Sequence, residues 1–267
     1  MRRFFHFLAV LCLMVLLTHS FLWGKLPDRP FQWADDEAFK PLIYRNSTGK
    51  SEGIFYDVLT EAFRRMKIPL RCKLYPWTRA QKMVEEGKAD GMVTVATEAR
   101  RKRFKATDPI IEVEEWVFVS RDNPRYKEIL KIRSIKDLKR FTLVETIGSG
   151  WSRENFKGMR IVWVPTAQSA LNMVASGRAD IYLMSNYTGP FFVKEQIRKG
   201  GPLHDRLKKI VSGTHPLTKI DYQLLIRKNS MYVDIIDRFN RILRQMYRDG
   251  TYGRILQQYR IKMEEIR

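Results

Sequence analysis

The strongest constraint on this 267-residue chain is an internal repeat. Met83-Val-Glu-Glu-Gly-Lys-Ala-Asp90 and Met173-Val-Ala-Ser-Gly-Arg-Ala-Asp180 have one plan, 90 residues apart. Each reads as the end of a helix, a glycine stop, a basic residue, Ala-Asp and then a buried strand. Two copies of one αβ unit predict two lobes of like construction. Alternating strands and helices predict parallel sheets covered by helices, an α/β architecture.

The rest of the chain fits that frame. Phe31 to Trp33 is a short strand candidate, and Gly53 to Met66 carries Phe55, Val58, Leu59, Ala62, Phe63 and Met66 on one helical face. Leu70–Tyr75, Asp90–Ala96 and Trp116–Val119 read as strands of the first half, with a helix over Arg79–Glu86. Phe141–Val144, Ile161–Val164 and Asp180–Met184 read as strands of the second half, with a helix over Ala167–Ser176. Tyr232 to Tyr259 is helical, broken at Asp249-Gly250.

The N-terminus has the order of an export signal: Arg2 and Arg3, an apolar run from Phe4 to Leu17 broken only by His6, then small residues near Ser20 and Gly24. The run is short for a membrane span of about 20 residues. Residues 1–24 are therefore expected to be a signal peptide and the body periplasmic, with an uncleaved anchor as the alternative. Cys12 lacks the small preceding residue of a lipoprotein signal. Removal of the leader leaves Cys72 as a lone thiol. It also takes away Arg2 and Arg3, lowering the formal charge from +20 to about +18. That charge favours anionic partners and says nothing about fold. His204 and His215 are too isolated to suggest a zinc site, and no nucleophile elbow or P-loop occurs.

With Ala34-Asp-Asp-Glu-Ala-Phe-Lys-Pro41, Gly53-x-x-x-Asp57, Pro76-Trp-Thr-Arg79 and Glu86-Gly-Lys-Ala-Asp90 in order, the mature chain resembles a known family. Thr97-x-x-Arg100, Phe104-x-x-Thr107-x-Pro109, Gly148-Ser-Gly150, Gly177-Arg-Ala-Asp180 and Asp249-Gly-Thr-Tyr252 complete the set. It is similar to the extracellular solute-binding proteins of family 3, the polar amino-acid-binding branch of type II periplasmic binding proteins. The resemblance implies a two-lobed fold with a hinge and an interlobe cleft. Lobe one would be residues 25–118 plus 213–267, and lobe two residues 119–212. It implies a non-enzymatic protein that captures a small polar ligand, carboxylate-bearing or amino-acid-like, for ABC-type uptake or sensing. The expected partners are that small molecule and an inner-membrane ABC permease or sensor. No cofactor, metal or nucleic acid is expected, and the chain is expected to be a monomer.

Arg100 is the expected carboxylate anchor, because family members use the matching arginine and a guanidinium grips a carboxylate with two parallel bonds. Thr94 and Thr97 flank the same turn, and their hydroxyls could complete an anion pocket. Trp77 matches the aromatic wall of the family cleft and Phe39 the opposing ring. Ser149, Gly150 and Trp151 form a turn whose N–H groups could face an anion. Each has an ordinary alternative: a solvated basic run for Arg100, backbone-satisfied hydroxyls for the threonines, core burial for the rings, a plain tight turn for the glycines.

The chain departs from the family in two places. Val93 and Val95 stand where relatives often carry carboxylate-binding groups. Ser185 stands where an aspartate usually holds the ligand ammonium. The expectation is a cleft with a cationic anchor and no acidic one, and a ligand less positive than a standard amino acid or one held differently. Asp36 could supply the missing charge or merely cap a turn. The competing readings are an enzyme on the same scaffold, dehydratase-like, or a basic protein bound to an anionic envelope surface.

Overall fold

The computed structural model describes residues 27–264, with side chains to residue 260. The leader and Cys12 lie outside the described residues. Among those described, no helix is long and apolar enough to cross a membrane.

The first lobe opens with β1 (Phe31–Asp36) and a small three-stranded sheet of β2 (Ala38–Phe39), β3 (Ile43–Arg45) and β4 (Ser51–Glu52). Then come α1 (Ile54–Arg65), β5 (Leu70–Tyr75), α2 (Trp77–Glu85), β6 (Gly91–Thr94), the single turn α3 (Glu98–Arg101) and β7 (Phe104–Ala106). The long strand β8 (Ile111–Ser120) leads into the second lobe: α4 (Tyr126–Ile129), β9 (Thr142–Thr146), α5 (Gly150–Asn155), β10 (Arg160–Val164), α6 (Ala167–Ala175), β11 (Ile181–Ser185), α7 (Thr188–Lys199), α8 (His204–Leu207) and β12 (Ile210–Ser212). A second long strand, β13 (Thr218–Arg227), returns, and α9 (Ile236–Arg248) and α10 (Thr251–Glu264) end the described chain.

The strands run in the order β10-β9-β11-β8-β13-β6-β1-β5, with β12 on β8 and β7 on β13. Within each lobe the strands flanked by helices are parallel, β1 with β5 and β10-β9-β11 together. The lobes meet only through β8 and β13 in this order. Their antiparallel pairing runs from Thr218 opposite Glu115 to Tyr222 opposite Ile111. Each long strand has one end in each lobe: Tyr182 to Ser185 of β11 pair with the later half of β8, and β6 pairs with the later half of β13. Two strands joining two α/β lobes form the hinge of a two-lobed fold.

Burial follows the residue pattern. In α1, Ile54, Phe55, Val58, Leu59, Ala62 and Phe63 are buried, and pack with Phe31, Trp33, Phe239 and Leu243. On the other side of that sheet Ala34, Val84, Met92, Phe104 and Leu225 form a smaller core under α2. Strand β9 sends Val144 to the α6 side with Leu171 and Val174, and Leu143 to the opposite side with Phe141 and Phe156. Burial on both faces explains why these strands read as apolar runs rather than alternations.

The repeat closes its helices identically in both lobes. Lys88 N–H donates to the Met83 carbonyl at 2.9 Å and Gly87 N–H to Val84 at 3.1 Å. Arg178 N–H donates to Met173 at 2.9 Å and Gly177 N–H to Val174 at 3.1 Å. Gly87 (φ 79°) and Gly177 (φ 73°) take the left-handed conformation that this double-bonded stop requires. The aspartates then tie each unit to the neighbouring strand. Asp90 N–H donates to the Gln32 carbonyl while Gln32 N–H donates back to Asp90 Oδ2. Asp180 and Thr142 repeat the exchange.

Candidate functional site

The carboxyl ends of β1, β5, β6, β9, β10 and β11 converge on one cleft, where open α/β sheets hold ligands. A cavity of about 430 Å³ lies there, lined from both lobes.

The first lobe supplies the cation. Arg100 Nη1 donates to Thr94 Oγ1 at 2.9 Å and to the Val95 carbonyl at 3.0 Å, and Nη2 donates to Gln81 Oε1 at 2.8 Å. Three of the five guanidinium N–H groups are thus held, and two have no partner among the described residues. The head lies 5.7 Å from the Trp77 ring centroid. Burial pushes the Arg100 pKa down from its ordinary value, with Tyr222, Glu85 and Glu154 opposing the shift. A side chain held this tightly has little entropy left to lose on gripping an anion.

The second lobe and the crossing strand supply acid. Glu145 is the last residue but one of β9 and Glu115 lies mid-way along β8, only 5% and 8% exposed, and both line the cavity. The Glu115 carboxylate makes no hydrogen bond or ion pair with any described residue, and burial pushes its pKa up to about 7. Glu145 rises to about 8 through burial, the Ser152 hydroxyl opposing the shift and the Glu115 carboxyl adding to it. Tyr182 and Tyr222 line the cavity between these groups, and burial pushes both phenols up. On the first-lobe side, burial raises Asp36 to about 6 and Asp35 to about 7. Asp35 accepts from Trp33 Nε1, Val93 N and Asp36 N, each at 2.8 Å, so its carboxyl fixes strand ends.

The lobes touch across the cleft. Trp77 Nε1 donates to the Gly148 carbonyl at 3.1 Å, Glu98 N–H to Glu154 at 3.0 Å, and Lys40 pairs with Glu195 at 3.2 Å. A Cβ on Gly150 would lie 3.0 Å from Arg100 Cζ, so the glycine turn packs directly on the guanidinium.

Asp36, Phe39, Trp77, Thr94, Arg100, Ser149, Trp151 and Ser185 all line the cavity. Val93 and Val95 line it too. Thr97 does not; its hydroxyl caps α3 by accepting from Arg100 N. Gly150 acts only through its contact with Arg100. Asp36 Oδ1 accepts from Ala38 N at 3.0 Å, a turn cap at the cleft edge. Ser149 and Ser185 are both busy with helix starts: Ser149 accepts from Ser152 N, and Ser185 accepts from Thr188 N at 3.1 Å. The expectation of a cleft without acid is overturned. Sequence reasoning looked for the acid at 185 and, failing that, at Asp36, and did not reach Glu115, Glu145, Asp35, Tyr182 or Tyr222. A signal existed for Glu115: positions 111, 113, 117 and 119 are apolar and buried, and Glu115 sits on that same face.

A family model described as bacterial extracellular solute-binding proteins, family 3, matches residues 31–262. No curated protein matches the chain. Among solved structures, a histidine kinase sensor domain with similarity to periplasmic binding proteins superposes with a TM-score of 0.72 at 19% identity, covering 86% of this chain and 96% of that one. The arginine-, lysine-, histidine-binding protein ArtJ of Geobacillus stearothermophilus gives 0.69 at 18% identity, covering 86% and 95%. AncCDT-1, an ancestral amino acid-binding protein and precursor of cyclohexadienyl dehydratase, gives 0.65 at 20%, covering 86% and 95%. At these identities the likeness is one of fold.

Proposed function

The chain belongs to the bacterial extracellular solute-binding proteins of family 3, and from that premise we propose that it captures a small amino-acid-like solute between its lobes, outside the cytoplasmic membrane, for an ABC permease or a membrane sensor. The observation that carries this reading is Arg100. It is half-buried and held by Thr94, Val95 and Gln81, with two N–H groups still to place in a cavity of about 430 Å³. A pre-set guanidinium with open donors suits a carboxylate. Trp77, Phe39 and Tyr222 supply apolar walls around it. With the lobes in contact, the turn at Gly148 and Gly150 covers the guanidinium and any group it holds, and the shape of the closed pair is what a membrane partner reads.

A thermal-shift panel of amino acids, organic acids, amines and sugars tests it. A solute at one hundred times its Kd adds about 2.7 kcal/mol of stability. At least one carboxylate-bearing compound is expected to raise the melting temperature, and the rise is expected to vanish in Arg100→Ala. A panel with no hit overturns the reading.

One observation favours a second reading, an enzyme on this scaffold. Glu145 keeps its proton up to about pH 8 beside the cavity, as a general acid must. Turnover of a bound compound, followed by mass spectrometry, would decide for it.

A further inference from the structure

We propose that Glu115 and Glu145 form the site for a cationic group of the solute, with the acid supplied from the crossing strand β8 in place of the one expected at Ser185. This deepens the solute-binding reading and rests on it.

Register gives the first reason. Ser185 and Glu115 are direct partners across the antiparallel β11–β8 pair. Directly opposite residues point to one face of a sheet with Cβ atoms about 4.5–5.5 Å apart. A glutamate at 115 therefore delivers its carboxylate to the neighbourhood that an aspartate at 185 would serve. Ser185 is released for another task, capping α7 through Thr188 N and the Thr188 hydroxyl.

The second reason is the lack of a protein partner. Glu115 is more than nine-tenths buried and lines the cavity, and its carboxylate meets no lysine, arginine or N–H among the described residues. A buried carboxylate left unpaired is strongly disfavoured, so it either keeps a proton or receives a cation from outside. Of the cations that line the cavity, Lys40 pairs with Glu195 and Arg100 is held by Thr94, Val95 and Gln81, and neither is bonded to Glu115 or Glu145. Glu145 lines the same cavity as a second acid, close enough for the Glu115 carboxyl to push its pKa up. Tyr182 and Tyr222 line the same cavity, and aromatic rings there suit an ammonium or guanidinium group. The raised pKa values agree, since a proton there stands where the ligand's charge would sit. Cation on the second lobe and carboxylate on the first make the solute a zwitterion that spans the cleft and pulls it shut.

The test is isothermal titration of the whole protein at pH 8 with the twenty amino acids, each beside its decarboxylated amine and its deaminated acid. The expected result is that an amino acid binds best and that Glu115→Gln weakens it about 10- to 100-fold. The matched deaminated acid should bind Glu115→Gln as well as wild type, because it never used these acids. Glu145→Gln should show the same split to a smaller degree. A deaminated acid that binds wild type as tightly as its amino acid, or a Glu115→Gln loss shared equally by both, overturns the cation site and leaves the solute reading standing. Absence of binding by every compound to wild type overturns both. Folding is checked by the melting temperature of Glu115→Gln, which should match or exceed wild type because an unpaired buried acid has been removed.

Discussion

The two lobes carry one framework and opposite chemistry. At the starts of their strands they are near copies. Asp90 clasps Gln32 and Asp180 clasps Thr142 through the same pair of bonds, and each aspartate holds one further residue, Ser230 or Asn123. At the carboxyl ends they diverge. The first lobe presents a guanidinium bedded in threonine, glutamine and tryptophan. The second presents two buried glutamates and a tyrosine. Shape and recognition are therefore written at opposite ends of the same strands, and a residue's place along its strand says which of the two it serves.

The comparison can be broken most forcefully at Arg100. Arg100→Ala should cost about 2–5 kcal/mol of ligand binding, the range for losing one member of a buried charge pair, with no comparable loss of folding stability. Arg100→Lys should recover only part, because a point charge lacks the fork. Calorimetric titration reads both. If the strand starts are framework alone, Asp90→Ala should lower stability by about 3 kcal/mol and leave the ligand preference unchanged. Asp180→Ala, in a less buried setting, should cost about 1–2 kcal/mol. Urea titrations measure the pair, and equal losses would count against reading burial as the difference. A milder effect is a pH dependence, to which Asp35 and Asp36 of the first lobe contribute in the same sense. The folded state raises Glu115 to about 7 and Glu145 to about 8, so it binds protons that the unfolded chain has released. Their contribution is full below the ordinary carboxylate range and is lost as pH rises through 7 to 8. Melting temperatures of ligand-free protein should fall from about pH 5 to about pH 9, and less steeply in Glu145→Gln. Smallest is the Lys40–Glu195 pair. Its partly exposed partners predict a change of about 0.5 kcal/mol in Lys40→Ala, seen as roughly a twofold weaker Kd.

Most of the framework was legible in the sequence because it rests on local pattern. The repeat at Met83 and Met173, the α1 stripe and the strands at 70–75, 160–164 and 181–185 need only neighbours in the chain. Arg100 was legible through the motif around Thr97. The hinge was not. Sequence reasoning picked out Trp116–Val119 where β8 runs from Ile111 to Ser120, and it did not reach β13. These strands are defined by each other across roughly a hundred residues of chain, and their alternation mixes with charge where one face meets solvent: Lys219 and Asp221 are exposed on either side of the buried Ile220. The acid of the second lobe stayed hidden for the same reason. That Glu115 faces the Ser185 position follows from strand register, and register is a long-range fact.

The clasp at the strand starts has a consequence for how such a protein changes its diet. Because Asp90 and Asp180 secure the sheets from the far side, a rim side chain such as that of Glu115 carries no framework bond among the described residues. On the proposal above, an acid is supplied by one strand in place of its neighbour, at 115 rather than 185, while the core beneath stays as it is. New specificity on this scaffold is a matter of trading a few rim positions, and the scaffold is indifferent to which strand makes the trade.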